Sequence, residues 1–166
     1  MIVACSDSRV DPTMIFSAEP GQLFILRNVA NLVPPYQPDL AFHATSAALE
    51  FAVRVLEVTD LIVMGHAMCG GIGVLLRGAP AGAGDFLTPW MRIAEPAKRR
   101  VLARGGTDPQ ADCEQESVRL SLENLLTFPW IAERVAEGQL TLTGSIFDIR
   151  SGVLALLGAD GCFTPA

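Results

Sequence analysis

Short apolar runs that stop abruptly at polar residues alternate, along this chain, with longer stretches in which apolar residues recur every three or four positions. Residues 1–5 are continuously apolar and end at Ser6-Asp7-Ser8-Arg9, as expected of a strand buried on both faces. Asp11-Pro12 predicts a helix cap with proline at the first helical position, opening a short helix to about Phe16. After the Glu19-Pro20-Gly21 turn, residues 22–27 read as a second strand, followed by a loop broken by Pro34, Pro35 and Pro38. Ala44, Ala48, Phe51 and Val55 then recur at helical spacing, predicting a helix over 45–56 capped by Thr45 or Ser46. Residues 61–64 form a third strand, and 70–76 the helix after it.

Further along, Gly78-Ala79-Pro80-Ala81-Gly82-Ala83-Gly84 is a loop of small residues, too short to link domains. Helices are predicted over 86–104 and 112–126, the second with Val118, Leu122 and Leu125 as its apolar face, widened by Leu126. Pro129 opens one more helix, ending near Gly138. Residues 140–143 read as the last parallel strand, and 146–149 with 153–156 as a hairpin at the sheet edge. Strand and helix in this rhythm imply right-handed crossovers and an α/β fold, a mainly parallel β-sheet flanked by helices with a C-terminal edge hairpin. The length of 166 residues suits one domain spanning 1–166. Ligands of such sheets bind beyond the carboxyl ends of the strands, where Cys5 and His66 fall.

Composition narrows the class of partner. Twelve basic against eighteen acidic residues give a net charge of −6, which disfavours a nucleic-acid groove or an anionic membrane surface and suits a small-molecule substrate. Half of the residues are hydrophobic, a surplus that a subunit interface would cover, yet no apolar run is long enough to span a membrane. Cys5, Cys69, Cys113 and Cys162 carry no secretory context, so metal or redox chemistry in a reducing compartment, the cytoplasm, is expected. Met1 leads directly into the first core strand, a start that suggests a truncated form.

Candidate chemistry collects at two strand ends, Cys5-Ser6-Asp7-Ser8-Arg9 and Gly65-His66-Ala67-Met68-Cys69-Gly70-Gly71. Cys5, His66 and Cys69 make a Cys2His set, one of the three-ligand combinations of catalytic zinc, with a fourth position left for water or substrate. Asp7 is either that fourth ligand or a hydrogen-bond acceptor; Arg9 can clamp its carboxylate and so keep the site open. Gly70-Gly71 begins a helix whose N–H groups suit an anion and the Cys69 thiolate. Arg27 is either a site residue or a core-edge arginine, His43 a structural or interface histidine, and Cys113 and Cys162 incidental.

At these residues the chain resembles the β-class carbonic anhydrases. The resemblance rests on Cys5 to Val10, on Arg27-Asn28-Val29-Ala30-Asn31-Leu32-Val33-Pro34-Pro35, on Ser46 to Val53 and on Gly65 to Gly71, and it extends through Glu116 to Leu125 and Phe147-Asp148-Ile149. It implies one zinc per chain on Cys5, His66 and Cys69 and catalysis by the Asp7–Arg9 dyad, beside which Gly70, Gly71 and Arg27 are the candidate substrate contacts. The implied reaction is reversible hydration of carbon dioxide to bicarbonate, zinc lowering the pKa of its water from about 15.7 towards about 7. A homodimer or tetramer is implied as well. Alternatives are a carbonyl sulfide or carbon disulfide hydrolase on the same scaffold and a catalytically silent zinc-bound scaffold subunit. The family's N-terminal helical arm and its substrate-facing glutamine would precede Met1. Thr143-Gly144-Ser145 stands in place of the usual His-Gly-Trp, Phe147 in place of a tyrosine, Ala67 in place of serine, and Ile2 in place of the tryptophan of the bicarbonate-inhibited subgroup.

Overall fold

Strand β1 (Ile2–Cys5) is buried at every position, and its side chains divide between two apolar layers. Val3 packs on one side with Leu61 and Val63; Ile2 and Ala4 pack on the other with Met64, as the twofold period of a strand requires. A computed structural model describes residues 1–166, and β1 lies inside the edge strand of a six-stranded sheet ordered β2-β1-β3-β4-β5-β6. β2 (Ile25–Asn28), β1, β3 (Asp60–His66) and β4 (Thr141–Asp148) are parallel; β5 (Val153–Leu157) and β6 (Phe163–Pro165) are antiparallel additions. The mainly parallel α/β fold is therefore as expected.

Seven helices flank the sheet: α1 (Pro12–Ile15), α2 (Ala44–Glu50), α3 (Gly70–Arg77), α4 (Leu87–Met91), α5 (Glu95–Arg104), α6 (Pro109–Leu125) and α7 (Pro129–Ala136). The largest core cluster joins Val3, Leu61 and Val63 to Leu49 of α2, Val118 and Leu125 of α6 and Ile131 of α7. A second surrounds Cys5 and Cys69 with Ile72 and Leu75 of α3, Val101 of α5 and Cys113 of α6. The central helix α6 comes close to the sheet because Gly65 and Gly144 lack side chains; a Cβ there would lie 2.7 and 3.0 Å from Val118.

Several boundaries differ from the sequence reading. β2 starts at Ile25 rather than Gln22. The 45–56 helix starts at Ala44 after His43, with no side-chain cap, and passes into a π-helical turn over Phe51–Val55. Its buried residues are Thr45, Leu49, Ala52 and Val53, because Leu49 offers more surface to the core than Ala44 or Ala48; Phe51 and Val55 face outward. The expected 86–104 helix is broken into α4, a 3-10 turn over Arg92–Ala94 and α5, with Pro89 and Pro96 each in a first turn. α6 begins three residues earlier than predicted: Asp108 accepts a hydrogen bond from Ala111 N–H at 3.0 Å and Pro109 takes the first helical position. On its apolar face Leu126 is exposed.

The last parallel strand and the first strand of the hairpin are one element, β4, which pairs with β3 on one side and β5 on the other. Gly144-Ser145 breaks its apolar run, and the glycine serves the close approach of α6. The hairpin is not the sheet edge, since β6 adds outside β5.

Candidate metal centre

The parallel strands end on one side of the sheet, and the metal-capable residues gather there. Cys5 ends β1, His66 ends β3 and Cys69 occupies the N-cap position of α3, with all three buried. Their donor atoms lie within 4.8 Å of one another. The two Sγ atoms are 4.0 Å apart. Two thiolates on one tetrahedral zinc, each at about 2.3 Å, stand about 3.8 Å apart, so the spacing suits the ion. His66 Nδ1 lies 2.9 Å from Ala67 O, and since a carbonyl only accepts, Nδ1 carries the hydrogen. Nε2 is then a free lone pair, buried without a protein partner.

The electrostatics point the same way. Cys5 is shifted toward the thiolate chiefly by the hydrogen bond from Cys69, then, against burial, by His66 and the N–H groups of Asp7 and Ala30. Cys69 is shifted in the opposite sense by that same bond and by burial, with relief from the N–H groups of Ile72 and Gly71. One thiolate is favoured and a second is repelled by the first, which a divalent cation between them would reverse. Burial works against charge on His66, but the nearby Cys5 sulfur outweighs it and raises its pKa.

Asp7 stands outside the donor set. Arg9 clamps it with two bonds, Nε to Oδ1 at 2.9 Å and Nη2 to Oδ2 at 2.7 Å, and the Arg9 N–H adds a third at 3.0 Å. These bonds, the side-chain ones first, hold the Asp7 carboxyl well below the usual carboxylate range. Arg9 Nη2 also reaches Met68 O at 3.3 Å, joining the two strand-end loops.

Arg27 lies behind the first loop, where it donates to Cys5 O at 2.9 Å, Asp7 O at 2.6 Å and Val10 O at 2.7 Å. The contacts make it a clamp on the backbone that carries Cys5 and Asp7. Gly71 packs under the turn after β2, where a Cβ would lie 2.9 Å from both Val29 Cγ1 and Ala30 Cβ, while Gly70 is open. Ala30 and Asn31 adopt left-handed φ of 64° and 47°, held by Asn28, whose side chain bonds both Leu32 N and Leu32 O at 2.9 Å. That turn aims Ala30 N–H at Cys5.

Two residues absent from the sequence reading complete the surroundings. Glu114, buried on α6, accepts from Cys69 N–H at 2.8 Å, and Gln110 donates to Cys69 O at 3.0 Å and to Glu114 Oε1 at 2.7 Å. Burial raises the Glu114 pKa against the pull of these donors. The start of α6 at Asp108-Pro109 was the available signal, since it puts residues 110 and 114 on one helical face.

Fold and site together define an α/β protein with a three-donor Cys2His centre and an arginine-paired aspartate beside it. Residues 1–154 match the carbonic anhydrase family. Beta carbonic anhydrase 3 of Arabidopsis thaliana is 39% identical over 175 residues, covering 100% of this chain and 67% of that one. Beta carbonic anhydrase 5, chloroplastic, of the same plant is 40% identical over 153 residues, covering 89% of this chain and 50% of its own length. Among solved structures, the β-carbonic anhydrase CcaA has 33% identity and a TM-score of 0.85, covering 99% of this chain and 76% of that one. A tetrameric β-carbonic anhydrase of Sordaria macrospora has 31% identity and a TM-score of 0.83, covering 98% and 80%. The chain belongs to the carbonic anhydrase family, as an enzyme of its β-class.

Proposed function

We propose that this chain catalyses the reversible hydration of carbon dioxide to bicarbonate and a proton, with zinc held by Cys5, His66 and Cys69. The observation that carries the reading is the division of labour at the strand ends: three buried donors converge, while the nearest carboxylate, Asp7, is occupied by Arg9. A three-donor set leaves a fourth position for water or substrate. Zinc, when bound, supplies the Lewis acidity that makes water a nucleophile near neutral pH.

The chain's own residues do the rest. Asp7, ionised across the working range, accepts the hydrogen bond of the attacking oxygen and so orients it. Arg9 keeps Asp7 off the metal and in that orientation. Arg27 fixes the Cys5 to Val10 backbone, and the N–H groups of Gly71 and Ile72 support the Cys69 sulfur. Gly70 leaves open space beside the centre for a small substrate.

A homo-oligomer is part of this reading. An apolar groove of about 930 Å³ runs from Asn28 and Val29 past Pro34, Phe42, Phe86 and Trp90, and Phe42 and Phe86 are 107% and 88% exposed. A second copy of the chain would cover it. No helix is long and apolar enough to cross a membrane. A reducing compartment such as the cytoplasm is part of the reading because it would keep the Cys5 and Cys69 donors as thiols.

Stopped-flow hydration of carbon dioxide, with zinc content measured on the same sample, tests the proposal. Turnover in the zinc-loaded chain and a loss of about 100-fold or more in Asp7→Ala are expected. Zinc-loaded chain without turnover would favour the silent scaffold, and hydrolysis of carbonyl sulfide or carbon disulfide in preference to carbon dioxide would favour the hydrolase.

A further inference from the structure

Helix α6 buries two carboxylates, Glu114 and Glu116, in unlike surroundings. Glu116 is surrounded by Arg100, Arg104 and Arg119 at 3.2, 3.7 and 3.3 Å, an ion network that ties α6 to α5. Glu114, two residues earlier and so on another side of the helix, takes part in no ion pair. Its hydrogen bonds run instead to the backbone N–H of Cys69 and to Gln110, and Gln110 in turn bonds the carbonyl of Cys69. Both polar groups of one residue's backbone are thus gripped from one helical face. That residue is a donor of the metal set.

We infer that Glu114 and Gln110 are positioning residues that hold Cys69 at metal-binding distance from Cys5 and His66. The loop they grip needs such support. Met68, directly before Cys69, has φ of 57°, a conformation that non-glycine residues keep only where their surroundings impose it. Elsewhere the loop is tied by Ala67 N–H to Phe147 O at 2.9 Å and by Arg9 on Met68 O, bonds that leave the Cys69 backbone N–H to Glu114 alone. The gripping helix is itself fixed: Asp108 caps its first turn, and Val118, one turn beyond Glu114, sits against Gly65 and Gly144 of the sheet. A post of this stiffness transmits the position of α6 to one sulfur atom. Groups that orient a metal ligand in this way are worth about 10- to 100-fold in metal affinity.

The inference rests on the zinc reading above, and zinc binding itself provides the test. Metal-free protein, prepared with a chelator and shown to be folded by circular dichroism, is titrated with zinc against a chromophoric competitor. Glu114→Ala should bind zinc about 10- to 100-fold more weakly than the unsubstituted chain. Glu114→Gln, whose amide oxygen can still accept from Cys69 and Gln110, should recover most of that loss. Affinity in Glu114→Ala equal to that of the unsubstituted chain overturns the inference, as does Glu114→Gln binding no better than Glu114→Ala, which would assign the effect to charge rather than position. If Glu114→Ala does not fold, Gln110→Ala decides, because it keeps the Glu114 bond to Cys69: a several-fold weaker site supports the inference and an unchanged one overturns it. An unsubstituted chain that binds no zinc removes the zinc reading and this inference together.

Discussion

At the scale of single residues, the pairing of Asp7 with Arg9 sets an acid limit. The Asp7 pKa in the folded chain lies below the unfolded value of about 3.9, so the pair stabilises the fold above about pH 4 and ceases to as the pH falls further. Arg9→Ala should move the Asp7 carboxyl titration up toward about 3.9, read by carbon-13 NMR, and shift acid unfolding to higher pH. An Asp7 titration that stays where it was would show that Arg9 is not the cause. The residues whose chemistry is rare were legible in the sequence: two cysteines and a histidine at strand ends, with an aspartate and an arginine two and four positions after the first, leave few alternatives. Arg27, Gln110 and Glu114 act through hydrogen bonds to backbone atoms of other segments; the helix start at Asp108-Pro109 puts 110 and 114 on one face, but nothing in the chain names the backbone they reach. Arg27 was read as either a site residue or a core-edge arginine; its bonds to three carbonyls make it a clamp on the backbone of the first loop.

At the scale of elements, the double glycine that opens α3 contains two unlike positions. A methyl group at Gly71 would press into Val29 and Ala30, so Gly71→Ala should destabilise the fold by about 1–3 kcal/mol in urea denaturation. Gly70→Ala meets nothing within 4 Å and should leave the denaturation midpoint close to that of the parent. Equal effects would mean that the turn after β2 yields to the added methyl. Strand and helix types were legible because β1 and the 61–64 stretch of β3 are apolar runs and α6 and α7 have a proline in the first turn. Limits were less so. Gly144 looked like the end of a strand, but it is where α6 approaches β4. Glycine in a strand and glycine in a turn are the same letter, and only the packed helix separates them.

At the scale of the whole molecule, the parallel order β2-β1-β3-β4 is made by pairings between distant segments, and which strand lay beside which was not readable from any local pattern. The exposed Phe42 and Phe86 flank a groove that the proposed second copy would fill. Replacing both by aspartate should convert the assembly to monomers in light scattering coupled to size exclusion, with the secondary structure by circular dichroism retained. An unchanged mass would place the subunit contact elsewhere.

The way β4 is shared has a consequence for synthesis on the ribosome. All three proposed zinc donors have been made by residue 69, but the carbonyl of Phe147 that secures Ala67, and the register of β4 on which it depends, are made much later in the chain. A nascent chain therefore holds every ligand long before it holds the frame that aligns them. Zinc loading is then expected to wait until β4 has been made. Stalled nascent chains ending at residue 138 should retain far less zinc against a chelator than the released protein, and equal retention would mean that the first three strands suffice.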